Sequence, residues 1–371
     1  MIKGLGISVL RNSRGDKTVK VCINSKYCAS SPSGKSKGRH EARELPVSRV
    51  IKNFRRMKHG FTGMESFGAV DRKLERLGIN KVGGNFSIAL SMASVRMEGN
   101  GQAYRALGRA KAFPYPLGNV VGGGAHGGNT DIQEFLVFPK KARTMAEALK
   151  TNRKIWEQVG KKLKARKKND EGAWMAKADD YKTLDVLTDI AERNCALVGI
   201  DMAATQLYAK GNYVYKKLGM RMDDGLQMDF VEGLIRKYRL AYVEDPFHEE
   251  DYTSFRKLTR KVRCMVCGDD IFATQAKRMR RVANAMIIKP NQAGTVSRTL
   301  KAIEKAKKMK MVTVVSHRSG ETMDPFISDL AVATGAQLIK CGVYGRERVA
   351  KHKRLVELWK KAERPRMIRG I

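Results

Sequence analysis

From about residue 195 onward, short apolar segments alternate with amphipathic ones along the chain. The predicted strands read "CALVGID", "LAYVEDP", "CMVCGDD", "AMIIKP", "VTVVSHR" and "AQLIKCG". Helices are predicted between them, for example in "DDGLQMDFVEGLIRKYR" and "TVSRTLKAIEKAKKM", where apolar residues recur every three or four positions. Short continuous apolar strands that alternate with helices predict an α/β fold with a parallel sheet covered by helices.

Each of these strands ends on charged or polar side chains. In chain order the strand ends carry Asp201, Glu244, Asp269, Lys289, Ser316 with His317 and Arg318, and Lys340. In a (β/α)₈ barrel all strand carboxyl ends meet at one face, which holds the active site. A doubly wound open sheet usually begins with a glycine-rich turn, and no G-x-G-x-x-G lies between a strand and a helix here. The sequence therefore predicts a TIM-type barrel.

Residues 1–112 differ from this pattern and predict a smaller α+β capping domain, so that the barrel domain would span 113–371. Strand-like segments and a glycine-rich loop, "SSPSGKSKGRHEARE", are followed by helical segments such as "NFSIALSMASVRM". The loop contains "SGKS", which is similar to a phosphate-binding P-loop, but Ala29 stands where that motif needs a glycine. A nucleotide site is therefore not favoured.

The charge of the chain is strongly positive. Lysine and arginine number 73 against 37 acidic residues, a net charge of +36. Such an excess attracts polyanions and small anions over long distances. However, "KKLKARKK" and "KAKKMK" are typical of solvated helix faces, and no aromatic-interleaved RNA-binding pattern accompanies them. Non-specific nucleic-acid binding and a compositional bias of the source both remain open.

The sequence also bears on the compartment. No apolar run approaches the roughly 20 residues of a membrane span, and no signal-peptide pattern opens the chain, so we expect a cytoplasmic protein. The six cysteines include one CxxC, Cys264 and Cys267, without a second pair at zinc spacing. We therefore expect reduced thiols, most of them buried.

Lys289 directly follows an apolar strand, "AMII". Such a lysine either extends its ammonium group to water or is desolvated, and desolvation lowers the pKa of the ammonium. A lysine in a partly dry site beside a divalent cation can be neutral enough to act as a base. Both interpretations of Lys289 remain open on the pattern alone.

Three carboxylates, Asp201, Glu244 and Asp269, end strands of the same predicted barrel. They would repel one another unless a cation lies among them, and oxygen ligands without clustered histidine or cysteine favour Mg²⁺. The alternatives are structural, because Asp269 could cap a helix and Glu244 could pair with an arginine.

The motifs around these residues resemble the enolase family. The fingerprints, in chain order, are "PSGKSKGRHEA", "IQEF", "NDEGAW", "VEDPF", "GDD" and "SHRSGET". The resemblance extends over essentially the whole chain, more thinly between residues 45 and 80, and is closest to the archaeal style. It implies a Mg²⁺-dependent lyase that interconverts 2-phosphoglycerate and phosphoenolpyruvate, with two Mg²⁺ per active site and a homodimeric assembly.

The resemblance also implies a role for each matched residue. Lys289 would remove the C2 proton, and Glu171 would protonate the leaving C3 hydroxyl with Glu134 in support. Lys289 must then be neutral, which desolvation in its apolar strand favours by lowering its pKa. Glu171 must be protonated, so its pKa should be raised in the closed site. The implied metal ligands are Asp201, Glu244 and Asp269 for one ion and Ser36 for the second. The implied substrate-binding residues are His126, Gln133 and His317, with Lys340 for the substrate carboxylate and Arg318 and Ser319 for the phosphate.

Some positions depart from the family pattern. Asn12 stands where aspartate is usual, Lys20 where an acid is frequent, and Gln206 where glutamate is common, while residues 341–344 replace a small Thr-Gly-Ala segment. Two other functions remain open: a related superfamily enzyme that acts on another carboxylate, and a basic paralogue that mainly binds RNA or an acidic partner.

Overall fold

The amino-terminal part is a three-stranded antiparallel sheet packed against helices. The computed structural model describes residues 1–35, 38–108 and 112–369. The strands of this part are β1 (Leu5–Arg11), β2 (Lys17–Ile23) and β3 (Tyr27–Ser30). Its helices are α1 (Val47–Met57), α2 (Phe67–Leu77), α3 (Ile79–Val82), α4 (Gly84–Glu98) and α5 (Ala103–Leu107). Helix α4 is apolar on nearly every side and is buried against β2 and β3, so it forms the centre of this part.

The rest of the described chain is built around a closed barrel. The strands of this part, inside and outside the barrel, are β4 (Ala112–Phe113), β5 (Tyr115–Gly122), β6 (Glu134–Phe138), β7 (Lys167–Lys168), β8 (Trp174–Met175), β9 (Leu197–Asp201), β10 (Tyr208–Ala209), β11 (Asn212–Tyr215), β12 (Met220–Met222), β13 (Tyr242–Glu244), β14 (Met265–Gly268), β15 (Ala285–Ile288), β16 (Val312–Ser316), β17 (Leu338–Gly342) and β18 (Arg366–Met367). Pairing in the order β17-β16-β15-β14-β13-β9-β6-β5, with β17 against β5, closes the barrel. The predicted fold class is confirmed.

One barrel strand reverses direction. Strand β6 runs antiparallel to both β5 and β9, whereas the pairs from β9 to β17 and back to β5 are parallel. A loop with one short 3₁₀ helix (Gly124–His126), rather than an α-helix, joins β5 to β6, so the two strands form a hairpin-like pair. The predicted parallel sheet is therefore confirmed for the barrel strands from β9 to β17, excluding β10, β11 and β12, which form a separate antiparallel sheet. Neither that sheet nor the reversal of β6 was anticipated.

Helices cover the outside of the barrel. They are α6 (Met145–Lys162), α7 (Asp180–Arg193), α8 (Asp224–Tyr238), α9 (Tyr252–Lys261), α10 (Pro290–Ala293), α11 (Val296–Lys308), α12 (Phe326–Thr334) and α13 (Arg346–Lys361). Several begin at a side chain that accepts a hydrogen bond from the first turn, as Asp223 does for α8 and Thr295 does for α11. Among the described helices, none is long and apolar enough to cross a membrane.

The amino-terminal part contacts the carboxyl-end face of the barrel. The loop after β3 exchanges two main-chain hydrogen bonds between Ser33 and Gly320, of 2.9 and 2.8 Å. Arg96 on α4 forms a buried ion pair with Asp324. Both contacts fall on the loop after β16, so the cap and this barrel loop are held together. The division at residue 112 stays a prediction.

The expectation of reduced thiols is wrong for one pair of cysteines. Cys22 and Cys28 are directly opposite each other on β2 and β3 and form a disulfide, with their Cα atoms 4.0 Å apart. Adjacent antiparallel strands bring such a pair within bonding distance, which the linear sequence does not show. The thiols of Cys195, Cys264, Cys267 and Cys341 are free, as expected.

Candidate active site

A cleft of about 510 Å³ lies at the carboxyl ends of the barrel strands. Its lining includes most of the predicted site residues: His126, Gln133, Glu134, Glu171, Asp201, Asp269, Lys289, His317, Arg318, Ser319 and Lys340. Glu244 is fully buried and contacts the cleft through Lys340. Ser36 lies outside the described residues. The barrel therefore brings together nearly all of the side chains that the strand ends and loops supply.

Lys340 is the centre of the acidic side of the cleft. Its ammonium nitrogen lies 2.9 Å from Asp201 Oδ2, 2.8 Å from Glu244 Oε1 and 3.2 Å from Glu134 Oε2. Asp201 and Glu244 are register partners on β9 and β13, which explains their proximity. Burial alone would lower the pKa of Lys340, but the three carboxylates raise it well above its ordinary value. Lys340 is therefore a fixed positive charge.

Lys289 forms an ion pair with Asp269, and both side chains are largely buried. Burial would lower the pKa of Lys289, but the Asp269 carboxylate raises it above the ordinary lysine value. The expected lowering of this pKa is therefore wrong for this arrangement, because the sequence did not show a carboxylate in contact with the ammonium. Asp269 also accepts a hydrogen bond of 3.1 Å from Gln292.

Glu171 is surrounded by imidazole and amide groups. Its carboxylate lies 3.8 Å from His126 Nε2 and 3.7 Å from His317 Nε2, and it accepts a 2.9 Å hydrogen bond from Asn119 Nδ2. Glu171 lies in the loop between β7 and β8, whereas the histidines come from the loops after β5 and β16. Three separate loops therefore converge on one carboxylate.

The two glutamates of the cleft have pKa values that are shifted in opposite directions. A ligand atom of Glu134, one of Glu171 and one of His126 lie within 4.8 Å of one another. Burial and the charge of Glu171 raise the pKa of Glu134 well above its ordinary value. Burial would also raise the pKa of Glu171, but the charge of His126 helps to lower it. In this arrangement the pKa of Glu171 is thus lowered, the opposite of the direction expected for the closed site, and the expectation for the closed site stays a prediction.

The predicted phosphate-binding pair is tied to the amino-terminal part. Arg318 forms a bidentate ion pair with Glu41, at 2.8 and 3.1 Å. The hydroxyl of Ser319 accepts hydrogen bonds of 2.9 Å from Arg14 Nη1 and from the main-chain N–H of Lys35. Sequence reasoning missed the contributions of Glu41 and Arg14, although both lie in or near quoted loops.

Two further side chains orient the predicted metal ligands. Asp245 accepts hydrogen bonds of 2.8 and 2.9 Å from the main-chain N–H groups of Asp269 and Asp270, and so fixes the turn that carries Asp269. Gln133 donates to Asp201 at 3.4 Å and accepts from Gln206 at 3.1 Å. The aspartate in "VEDPF" was the signal for Asp245, and Gln206 is one of the departures noted above.

The donor set fits a hard divalent cation. Asp201, Glu244 and Asp269 are buried carboxylates on adjacent strand ends, and carboxylate oxygens suit Mg²⁺. Ligand oxygens of Asp245, Asp269 and Asp270 also lie within 4.8 Å of one another. Such a concentration of buried negative charge needs compensation, which Lys289 and Lys340 provide in this arrangement.

The closed barrel and the acidic and basic groups at its strand ends define an α/β-barrel enzyme. A family model described as the enolase C-terminal TIM barrel domain matches residues 110–364. The enolase of Archaeoglobus fulgidus is 38% identical over 398 residues, covering 99% of each chain. That of Halorubrum lacusprofundi is 38% identical over 396 residues (96% of this chain, 98% of that one), and that of Methanothermobacter thermautotrophicus 35% over 408 (99% and 98%). The chain belongs to the enolase family, and enolase function follows from this similarity over nearly its full length.

Proposed function

We propose that this chain interconverts 2-phosphoglycerate and phosphoenolpyruvate plus water in a Mg²⁺-dependent reaction of glycolysis. The observation that carries the proposal is the convergence of Lys289, Lys340 and the Glu134–Glu171 pair in one buried cleft. A proton next to a carboxylate is very weakly acidic, so its removal requires a positioned base and concentrated positive charge. In the cleft, Lys289 is the positioned base and Lys340 supplies positive charge.

Lys289 accepts the C2 proton at its Nζ atom. In the present arrangement its ammonium is held by Asp269, and engagement of Asp269 as a metal ligand would release that hold. Burial then favours the neutral amine. Asp201, Glu244 and Asp269 would hold one Mg²⁺, with Ser36 contributing to a second. Bound Mg²⁺ would stabilise the negative charge that develops on the substrate carboxylate.

Glu171 protonates the C3 hydroxyl as it leaves. Burial and the charge of Glu171 raise the pKa of Glu134, which favours a proton on the carboxyl beside Glu171. His126 and His317 lie beside Glu171 on that side of the cleft. Lys340 contacts the substrate carboxylate, and Arg318 with Ser319 contacts the phosphate. Arg318 must exchange part of its Glu41 pairing for phosphate when substrate binds.

The proposal is tested by a steady-state assay with 2-phosphoglycerate and Mg²⁺, in which phosphoenolpyruvate is followed by its ultraviolet absorbance. We expect turnover in the wild type, and its loss both in EDTA and in Lys289→Ala. Lys308→Ala is the matched control, because Lys308 pairs with a glutamate on an exposed helix face. A folded wild type that binds Mg²⁺ without turning over 2-phosphoglycerate would overturn the assignment.

We also propose a homodimer in the cytoplasm. The family resemblance supports both the dimer and the compartment. Light scattering on the purified protein tests the dimer, and a monomer at micromolar concentration would contradict it. Non-specific nucleic-acid binding from the +36 charge stays a prediction, and its affinity should fall steeply with salt.

A further inference from the structure

Helix α13 carries a buried arginine that the reaction described above does not use. Arg348 is 2% exposed, and none of the ion pairs in the described part of the chain includes it. Instead, its Nη2 atom donates hydrogen bonds to the main-chain carbonyl oxygens of Arg318, at 3.2 Å, and Ser319, at 2.7 Å. Burial of a guanidinium group is costly unless the group is hydrogen-bonded. Here its hydrogen bonds hold the main chain of two predicted phosphate-binding residues.

A second buried cation on the same helix face holds the same loop. Lys351 lies three residues after Arg348, and its ammonium is 2.7 Å from Glu321 Oε2. The Glu321 carboxylate in turn accepts 3.1 Å hydrogen bonds from the main-chain N–H groups of Arg318 and Thr322. These two cations therefore hold the carbonyl oxygens of Arg318 and Ser319 directly and the N–H groups of Arg318 and Thr322 through Glu321.

The packing around Arg348 leaves it little freedom. A Cβ atom added to Gly342 would lie 3.2 Å from Arg348 Cγ and 2.2 Å from the carbonyl oxygen of Glu171. The aliphatic part of the Arg348 side chain thus passes beside β17, the strand that carries Lys340, and close to the main chain of the loop that carries Glu171. On the opposite side of the loop, the Ser13 hydroxyl donates a 2.9 Å hydrogen bond to the Ser319 carbonyl oxygen.

We propose that Arg348 is a positioning residue for phosphate-monoester recognition: it holds the carbonyl oxygens of Arg318 and Ser319, so that the guanidinium and hydroxyl of these residues face the anion. A carbonyl oxygen turned into the cleft would repel a phosphate dianion, whereas one held by Arg348 cannot turn. The inference rests on the proposed function, because the phosphate belongs to that substrate. Arg348 itself does not touch the substrate.

The test compares Arg348→Gln with wild type in KM for 2-phosphoglycerate, kcat, and the inhibition constant of inorganic phosphate. We expect about a tenfold rise in both KM and the phosphate inhibition constant, with kcat changed less than threefold, because a misaligned anion site weakens binding before it alters proton transfer. Unchanged KM and phosphate inhibition, or a loss confined to kcat, would overturn the proposal.

Arg354→Gln is the matched control. Arg354 lies on the same helix and is largely buried, but it pairs with Asp329 rather than with the loop, at 2.7 Å. We expect it to lower the melting temperature without raising either constant, and an equal rise would reduce the role of Arg348 to general stability. If Arg348→Gln does not fold, Arg348→Lys replaces it, since it keeps the buried positive charge but its shorter side chain does not place a donor at the Nη2 position; an unchanged KM and phosphate constant in that variant overturns the proposal.

Calorimetric titration of inorganic phosphate separates this inference from the proposed function. If wild type binds phosphate and Arg348→Gln binds it about tenfold more weakly, the positioning role holds even in the absence of turnover. If wild type turns over 2-phosphoglycerate while both proteins bind phosphate equally, the proposed function holds and the positioning role is wrong.

Discussion

Two groups of buried cations surround the cleft, and they differ in what they bind. Lys289 and Lys340, at the barrel mouth, contact carboxylate side chains that we propose as metal ligands. Arg348 and Lys351, on α13, hold main-chain groups of one loop directly or through Glu321. The first group lies at the proposed reaction site, where protonation states change during turnover. The second group lies against a loop whose main-chain conformation must stay the same. Burial of a charge therefore does not by itself identify a chemical role.

The largest effect should come from Lys340→Met. This substitution leaves Asp201, Glu244 and Glu134 buried without their shared cation, so the free energy of unfolding should fall by about 5 kcal/mol, the upper end of the range for a broken buried pair. Turnover should also be lost. Urea denaturation in EDTA measures the first effect, with Lys308→Met as the exposed control. A loss no larger than in the control would mean that Lys340 is not the electrostatic centre of the mouth.

Lys351→Met should cost less, about 3 kcal/mol, because it leaves one buried carboxylate uncompensated rather than several. The double variant Lys351→Met with Glu321→Gln should recover much of that loss, since it removes both charges together. The measurement is a double-mutant cycle by urea denaturation. Additive losses would show that Lys351 and Glu321 are not coupled. The ion pair through which Lys351 holds the loop would then make no contribution to stability.

The sequence predicted the fold well where strands are continuous apolar runs, as in "AMII" and "LVGI", because such runs are buried on both faces. It did not predict the reversal of β6, since strand direction depends on the connection that precedes it. Nor did it predict the disulfide, since strand register decides which cysteines face each other.

The site was predictable at the level of which residues meet, and less so in their charge states. Strand ends and quoted loops placed Lys289 and Glu171 in one cleft. The expected pKa direction of Lys289 was wrong for this arrangement, because ion pairs depend on contacts between distant elements, such as Asp269 with Lys289. Arg348 and Lys351 were missed because basic residues in a basic helix are indistinguishable by sequence pattern from a solvated face.

Added Mg²⁺ should raise the free energy of unfolding through the carboxylates at the strand ends, and this gain should not depend on Arg348 of α13. At a hundredfold excess over its dissociation constant, a cation that binds only the folded state adds about 2.7 kcal/mol to the free energy of unfolding. We expect this increment in wild type and in Arg348→Gln, and its loss in Asp201→Asn. Urea denaturation with Mg²⁺ or EDTA provides the values. An increment that survives Asp201→Asn would place the cation elsewhere.

The smallest effect concerns pH and separates cations that pair with carboxylates from those that bind main chain. Arg96 pairs with Asp324 between the cap and the barrel. Burial alone would raise the pKa of Asp324, but the Arg96 guanidinium lowers it. A carboxyl with a lowered folded pKa contributes stability that is present above the unfolded value of about 3.9 and is lost as the pH falls through the folded value. The destabilisation caused by Arg96→Met should therefore shrink below about pH 4, by up to about 1.4 kcal/mol per pH unit.

The destabilisation caused by Arg348→Gln should change less over the same range, because the carbonyl oxygens that Arg348 binds do not titrate and its charge is only one of several that lower the pKa of the nearby Glu171 carboxyl. Urea denaturation of both variants and wild type from pH 7 to pH 3 measures the difference. If both destabilisations shrink together, Arg348 acts through an acidic side chain after all. If neither shrinks, the Arg96–Asp324 pair is not a charge interaction in solution, and the division between carboxylate-paired and main-chain-bound cations rests on geometry alone.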